Sequence, residues 1–364
     1  MKILYDHQMF NRQKYGGITK YFCELMKHLP EGHSYLLGVL ASDNQHLKDD
    51  FDFFKKFYFP IPQKESRIRG HLKSKLYKLN KLYSKGLISS NKYDLFHPTY
   101  FDPYFVNIAK KPYIVTVHDL IVFKFNNVQR KEEQMAEMTK IIRNARRIIA
   151  ISENTKADLI NILNVAPERI DIVYHGFNKF HVKNNLNPYG RYILYVGARP
   201  GYKNFKNLAQ AFKILVSDDE DLKLVCVGVP FSKEELEELK AMKILKNTIA
   251  IGVNEIKLNQ LYSHALAFVY PTQYEGFGMS ILEAFSNGCP VCLSNTSCLP
   301  EIAGEAGIYF DPLNPESIGS AIKKTIYDPV FSNKMTEAGQ KRLLNFSWNK
   351  CAAQTVQSYE NALS

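Results

Sequence analysis

The sequence predicts an α/β protein of two domains, each built around a parallel sheet. Three observations carry this. Short apolar runs of the kind that form buried strands alternate with helical stretches along the chain. That alternating series runs twice, interrupted at 178–190 by NKFHVKNNLNPYG, whose Asn, Pro and Gly make it the best linker in the sequence. The length, 364 residues, suits about two domains at roughly 100–200 residues each.

The first series opens on MKILY, a strand, and Gly16-Gly17 leads into the helix ITKYFCELMKHL. HSYLLGVL, YDLFHP, PYIVTVHD and RRIIAIS read as further strands, with the helix EEQMAEMTKIIRNA before the last. SENTKADLINILN is a helix that Ser152 caps, and RIDIVYHG is a strand. The second series reads RYILYVG, NLAQAFKILVS, LKLVCVGV, KEELEELKAMKIL, NTIAIG, IKLNQLYSHA, LAFVYP, MSILEAFSNG and PVCLS. A final helix, SWNKCAAQTVQSYENAL, opens at Ser347. The domains expected are 1–180, 181–345 and a C-terminal helix, 346–364, returning towards the first.

Composition narrows the function. No segment approaches the roughly 18 apolar residues of a membrane span, and MKILYDHQMF is too short and too soon interrupted by Asp6 to be a signal peptide. A cytoplasmic protein is expected. Of the six cysteines, four fall on apolar-patterned segments and read as buried thiols; Cys289 and Cys292 form a C-x-x-C, but no second pair or paired His completes a metal site. The net charge of +11 points to an anionic partner. Residues 64–92 hold nine Lys/Arg against one acid, with Ile68, Leu72, Leu76, Leu79 and Tyr83 at helical spacing. Such a helix suits the face of an anionic membrane, as a peripheral anchor, or packs its apolar stripe on the domain core; both readings stand. No nucleic-acid-binding module accompanies the charge, so nucleic acid is not an expected partner.

The most informative stretch is PTQYEGFGMSILEAFSNGCP. A strand ends, Gly276, Phe277 and Gly278 form a loop, and a helix begins near Met279 and Ser280. Glycines let the backbone approach a ligand, and a helix N-terminus favours phosphate. Glu275 and Glu283, with seven residues between them, can accept hydrogen bonds from sugar hydroxyls. Upstream, Arg199 and Lys203 in GARPGYKNF place two cations on a strand-to-helix loop, where they can neutralise a leaving diphosphate. His118 stands at the carboxyl end of a strand in YIVTVHDL, with Asp119 next to it. Asp50 and Asp52 form a D-x-D without matching context and read as surface.

E-G-F-G-x-x-x-L-E-A followed by G-x-P-V (Gly288 to Val291), with DHQMFNRQKYGGITKYFCEL, YFDPYF and TVHD, resembles glycosyltransferase family 4, in particular its bacterial polysaccharide-assembly members. The resemblance spans nearly the whole chain. It implies the GT-B fold, two Rossmann-like domains facing a central cleft, and retaining, metal-independent transfer from a nucleoside-diphosphate sugar without a cofactor. GDP-mannose is the favoured donor and UDP-sugars the next. The acceptor would be a glycan or a polyprenyl-diphosphate-linked glycan, as in lipopolysaccharide assembly. Glu275 would contact donor-sugar hydroxyls, Glu283 the ribose, and Gly276 to Gly278 would offer backbone N–H groups. Arg199 and Lys203 would hold the diphosphate, Gly16 and Gly17 would lie over the phosphates and acceptor, and His118 would sit under the reacting sugar. The spacing of Arg199 and Lys203, four residues, is tighter than the five of many members. His175-Gly176 stands where many members have Asn-Gly, and takes no assigned role. A GT-B epimerase, hydrolase or phosphorylase, or a non-catalytic sugar-nucleotide-binding subunit, are the alternatives.

Overall fold

The computed structural model describes residues 1–60, 66–126, 130–179 and 187–364, with the side chains of 66–69 left aside. Most of the linker and Ile68 therefore lie outside the described side chains. The chain divides into two compact units, Met1–Gly176 with Ser347–Ser364, and Phe177–Phe346.

In the first unit β1 (Lys2–Tyr5) pairs in parallel with β2 (Ser34–Leu37) and β3 (Leu95–His97). β4 (Ile114–Val117), β5 (Arg147–Ala150) and β6 (Ile170–Ile172) form a second parallel group. A single bridge, Phe96 to Tyr113, joins the groups, so the strand order is β2-β1-β3-β4-β5-β6. Strands this apolar are buried on both faces: Ile3, Leu95, Ile114 and Ile149 share one core with the helix Gly17–Lys27, while Leu4, Phe96, Val115 and Ile148 share the other with Lys131–Asn144. Ser152 caps Glu153–Leu163 through the Thr155 N–H. The C-terminal helix Trp348–Leu363, capped by Ser347, adds Trp348, Cys351, Val356 and Tyr359 to the first of these cores.

The second unit holds six parallel strands in the order β12-β11-β10-β7-β8-β9. They are β7 (Tyr192–Val196), β8 (Lys223–Val227), β9 (Thr248–Ile251), β10 (Ala267–Tyr270), β11 (Val291–Ser294) and β12 (Gly307–Phe310). β12 and the helices Pro315–Tyr327 and Pro329–Arg342 extend the series beyond the segments assigned from sequence. All six cysteines are buried free thiols. Cys292 lies on β11, and its sulfur meets Thr325 Oγ1 at 3.2 Å, which explains C-x-x-C as core packing. Asp52 is exposed and paired with Lys55, and Asp50 is paired with Lys27, as a surface D-x-D should be.

The basic segment forms one helix, Ser66–Ser90, and its orientation is unusual. Two of the buried positions are polar: Asn80 and Ser84 are inaccessible, as is Ile88 near the C-terminal end, while Leu79, Leu82 and Tyr83 are 49%, 68% and 37% exposed. Asn80 explains this. Its Oδ1 accepts from Leu40 N at 2.8 Å, and its Nδ2 donates to Ala41 O and Asn11 Oδ1. Ser84 donates to Gly38 O, and meets His7 Nδ1 at 2.8 Å. Polar side chains thus dock the middle of the helix and Ile88 and Leu87 its last turns, while part of the apolar stripe, Leu79 and Tyr83, faces water. The expectation of burial on the domain core fails for these two residues.

Candidate functional site

In open α/β sheets ligands gather outside the carboxyl ends of the strands, where the strand order reverses. In the second unit that point lies between β7 and β10. Two loops leave there, 197–204 and 271–278, and they are stitched together. Gln273 N donates to Tyr202 O at 2.8 Å, and Asn204 Nδ2 donates to Pro271 O at 2.9 Å. Asn204 itself takes a left-handed conformation, φ 60°, which starts the helix Phe205–Asp218 just beyond Lys203. Lys203 Nζ thereby reaches Glu275 Oε1 at 2.5 Å. Both side chains are largely covered, so the pair is partly desolvated and stronger than a surface bridge.

Glu275 is fixed from a third loop, the one after β11. Its N–H donates to Ser297 Oγ at 3.1 Å, and Cys298 Sγ donates to its carbonyl. Gly278, φ +87°, then turns the chain into the helix Met279–Ser286. A Cβ there would press on Ile281 Cδ1 and Leu299 Cδ2 at 3.1 and 3.2 Å, so glycine is required by conformation and by space. The first-turn amides of Met279 and Ser280 lack acceptors within the helix, and its dipole adds positive potential. Phe277 is buried against Phe346. Gly276 lies between Glu275 and Phe277 in this loop. One turn into the helix, Glu283 Oε2 accepts from Tyr262 OH at 3.1 Å. Tyr262, a buried member of the neighbouring helix Glu255–His264, has no signature in local sequence.

Arg199, expected beside Lys203 in a diphosphate clamp, points away from this group. Gly197, φ +133°, turns the loop after β7, and the Arg199 guanidinium runs to the β8 side. Nε and one Nη grip Glu235 at 2.7 and 3.0 Å, and the Nη groups donate to Val229 O and Pro230 O at 2.9 Å. Phe231 lies 4.6 Å from the guanidinium carbon, and the residue is 4% exposed. Four hydrogen bonds occupy four of its five donors. The adjoining hollow, about 560 Å³, is walled by Phe205, Leu239 and Met242 beside that closed ion pair, with Lys206, Asn207 and Ser232 also on its wall.

In the first unit the order reverses between β1 and β3. The loops there carry residues to which the sequence assigned no site role, though Asp6 and Asp102 lie in motifs quoted above. Buried Asp6 accepts from Thr99 N, Thr99 Oγ1, Gln8 Nε2 and Tyr104 OH at 2.7 to 3.0 Å. Asp102 accepts from Tyr77 OH and from Lys81 Nζ at 2.7 Å, and these bonds hold its carboxyl below the ordinary value despite burial. The sequence lists these residues as separate fragments; only the topology assembles them. Gly16 is extended, φ 176°, and starts the helix Gly17–Lys27. A Cβ on Gly16 would strike Gln13 Oε1, the end of a side chain, and a Cβ on Gly17 would meet nothing. Neither glycine is demanded by backbone conformation.

His118 follows β4, half-buried, with Nε2 covered and without a hydrogen-bond partner among the described residues. Its ring stacks on His175, centroids 5.5 Å apart and planes at 14°, and Tyr21 meets it edge-on at 5.2 Å. Burial pushes its pKa down to about 3, so the ring is neutral at physiological pH. Asp119 Oδ1 accepts from Ile121 N and so caps the following turn.

The family model for Glycosyl transferases group 1 matches residues 176–342, and that for Glycosyltransferase Family 4 matches 15–179. The chain is 28% identical over 265 residues to the O-antigen chain mannosyltransferase B of Escherichia coli, covering 68% of this chain and 70% of that one. It is 28% identical over 217 residues to the O-antigen chain mannosyltransferase RfbU of Salmonella typhimurium, covering 57% and 59%. The Anabaena HepE structure, in complex with UDP and glucose, is similar over 99% of both chains with a TM-score of 0.73 at 15% identity, a likeness of fold. Two family models that together span residues 15–342, on a frame of two parallel sheets, lead to one conclusion: the chain belongs to glycosyltransferase family 4 and is a glycosyltransferase of the GT-B fold, similar in sequence to O-antigen mannosyltransferases.

Proposed function

We propose that this enzyme transfers a sugar, with retention at the anomeric carbon, from a nucleoside-diphosphate sugar to a glycan or polyprenyl-diphosphate-linked acceptor of a surface polysaccharide. The observation that carries the reading is the Lys203–Glu275 pair at the strand-order reversal, next to the start of Met279–Ser286. As the glycosyl–phosphate bond breaks, its electron pair goes to the phosphate oxygen. Lys203 and the first-turn amides stabilise that charge, and Glu275, freed from Lys203, accepts hydrogen bonds from sugar hydroxyls. Glu283 receives the ribose hydroxyls. The acceptor hydroxyl attacks from the same face and its proton passes to the departing phosphate. The names of the Escherichia coli and Salmonella relatives favour mannose, hence GDP-mannose, and the Anabaena complex keeps UDP-sugars next.

Since Lys203 stands where a metal-dependent enzyme would need paired carboxylates, transfer proceeds without a divalent ion. A membrane-bound acceptor is supported by the helix Ser66–Ser90, which exposes Leu79, Leu82 and Tyr83 among Lys75, Lys78 and Lys85. No described helix is long and apolar enough to cross a membrane. The test is a panel of sugar nucleotides with and without lipid-linked glycan acceptors, in EDTA. Acceptor-dependent release of nucleoside diphosphate and an α-linked product from an α-linked donor are expected. Release that needs added Mg²⁺ or Mn²⁺ would overturn the charge scheme, and binding without release would favour a non-catalytic subunit.

A further inference from the structure

His175 has no role in the reading above, yet it is built into the surroundings of His118. It is 6% exposed and lies two residues beyond Val173, a core residue of the first unit. Its ring stands parallel to that of His118. Tyr21 closes the side of both rings, edge-on to His175 at 4.9 Å and to His118 at 5.2 Å. Trp348 lies behind, 6.1 Å from His175. Gly176 lets this happen: a Cβ there would stand 2.3 Å from Trp348 N and 2.5 Å from its ring. Tyr21 is itself anchored, its hydroxyl 3.1 Å from Thr116 Oγ1, which meets His97 Nε2 at 3.0 Å; His97 Nδ1 meets Tyr359 OH at 2.9 Å. His118 thus has a flat wall on one side and a fixed edge on another, while the described residues give its Nε2 no hydrogen bond to set the ring angle.

We infer that His175 is a positioning residue for glycosyl transfer, whose ring sets the plane in which His118 meets the reacting sugar. This rests on the proposed placement of His118 at that sugar. An offset parallel ring, centroids 5.5 Å apart, favours one orientation of its neighbour about the Cβ–Cγ bond, and both imidazoles are neutral here because burial lowers each pKa, so no charge repulsion opposes the stack. The alternative is a merely structural histidine filling space under Trp348.

The experiment compares His175→Phe, which keeps a flat ring, with His175→Leu, which keeps an apolar filler without one, and His175→Asn. Acceptor-dependent turnover is measured beside thermal unfolding. His175→Leu and His175→Asn should lower kcat about 10-fold or more, since small misplacements of a reacting group cost rate steeply, with the KM for the sugar nucleotide within about threefold of wild type. His175→Phe should recover most of that loss. Equal kcat for the Leu and Phe variants, at comparable unfolding temperatures, would overturn the inference. His118→Ala separates it from its premise. Full activity in His118→Ala would remove the premise and the inference together, whereas an inactive His118→Ala beside a fully active His175→Leu would remove the inference alone.

Discussion

Lys203 and Arg199 lie on one loop and serve different ends. Lys203 meets Glu275, whereas Arg199 is spent on Glu235 and two carbonyls. Lys203→Ala should lower kcat on the order of 10²-fold, as loss of one oxyanion donor does, with little change in unfolding temperature. Arg199→Ala should do the reverse, costing about 2–3 kcal/mol of stability through lost charged hydrogen bonds, with turnover of the folded fraction near wild type. Denaturant unfolding and steady-state kinetics on both variants check this; a soluble, stable but inactive Arg199→Ala would return the arginine to the site. That two cations occupy this loop was legible in GARPGYKNF. Which way each points was not, because Arg199's direction depends on the Gly197 turn and on a glutamate 36 residues further along.

Elements were read well where period and caps agree. Ser152 and Ser347 cap the helices assigned to them, and every strand assigned from sequence exists. The helix Ser66–Ser90 shows what apolar period misses. At Asn80 and Ser84 its inward stripe is chosen by backbone groups at Gly38, Leu40 and Ala41 that require hydrogen bonds, and side-chain hydrophobicity does not report such demands. Asn80→Leu, though more apolar at an inaccessible position, should destabilise the protein by at least about 2 kcal/mol by stranding those partners. Leu82→Asn should stay within about 0.5 kcal/mol of wild type. Chemical denaturation midpoints decide, and similar costs for both would mean that the helix is docked by its leucines. Lipid binding follows the same division. Lys73 Nζ lies 3.8 Å from Asp43, and Lys81 is bonded to Asp102, so these two are engaged within the unit. Lys75, Lys78 and Lys85 are exposed. Changing those three to Glu should abolish co-sedimentation with anionic vesicles, and wild-type protein that ignores such vesicles at low salt would remove the membrane from the scheme.

At the scale of the molecule, the two units differ in what acid does to them. Burial lowers the pKa of His97 and His118 from the ordinary 6.5 to about 3, and lowers that of His175 as well. A histidine with a depressed folded-state pKa favours the unfolded chain once the pH falls below 6.5, because only the unfolded form takes up the proton. The first unit should therefore lose stability steadily below pH 6.5. In the second unit Glu235 is held below its ordinary 4.5 by the Arg199 bond, so that contribution is complete above 4.5 and fades only as pH falls through the lowered value. The sole tryptophan, Trp348, is buried in the first unit. On acidification its emission should shift to the red at a higher pH than that at which overall helical ellipticity is lost; coincident transitions below pH 4.5 would contradict the assignment. The parallel-sheet architecture of both units was legible from the doubled strand–helix series. The sites within them were legible where a motif is contiguous, as in EGFGMSILE, and not where topology brings Asp6, Tyr77 and Lys81 to the segment 99–104.

The return of Ser347–Ser364 to the first unit also sets a timetable for synthesis. Phe177–Phe346 is contiguous, so the second unit can close as soon as it emerges from the ribosome. The earlier-made unit must wait, its groove for Trp348, Val356 and Tyr359 open beside Tyr21 and Ile149, until the rest of the chain is translated. At about 5–20 residues per second that interval is roughly 10–40 s. Birth order and folding order are thus inverted, and the nascent first half exposes an apolar surface of the kind that holdase chaperones grip for as long as translation lasts.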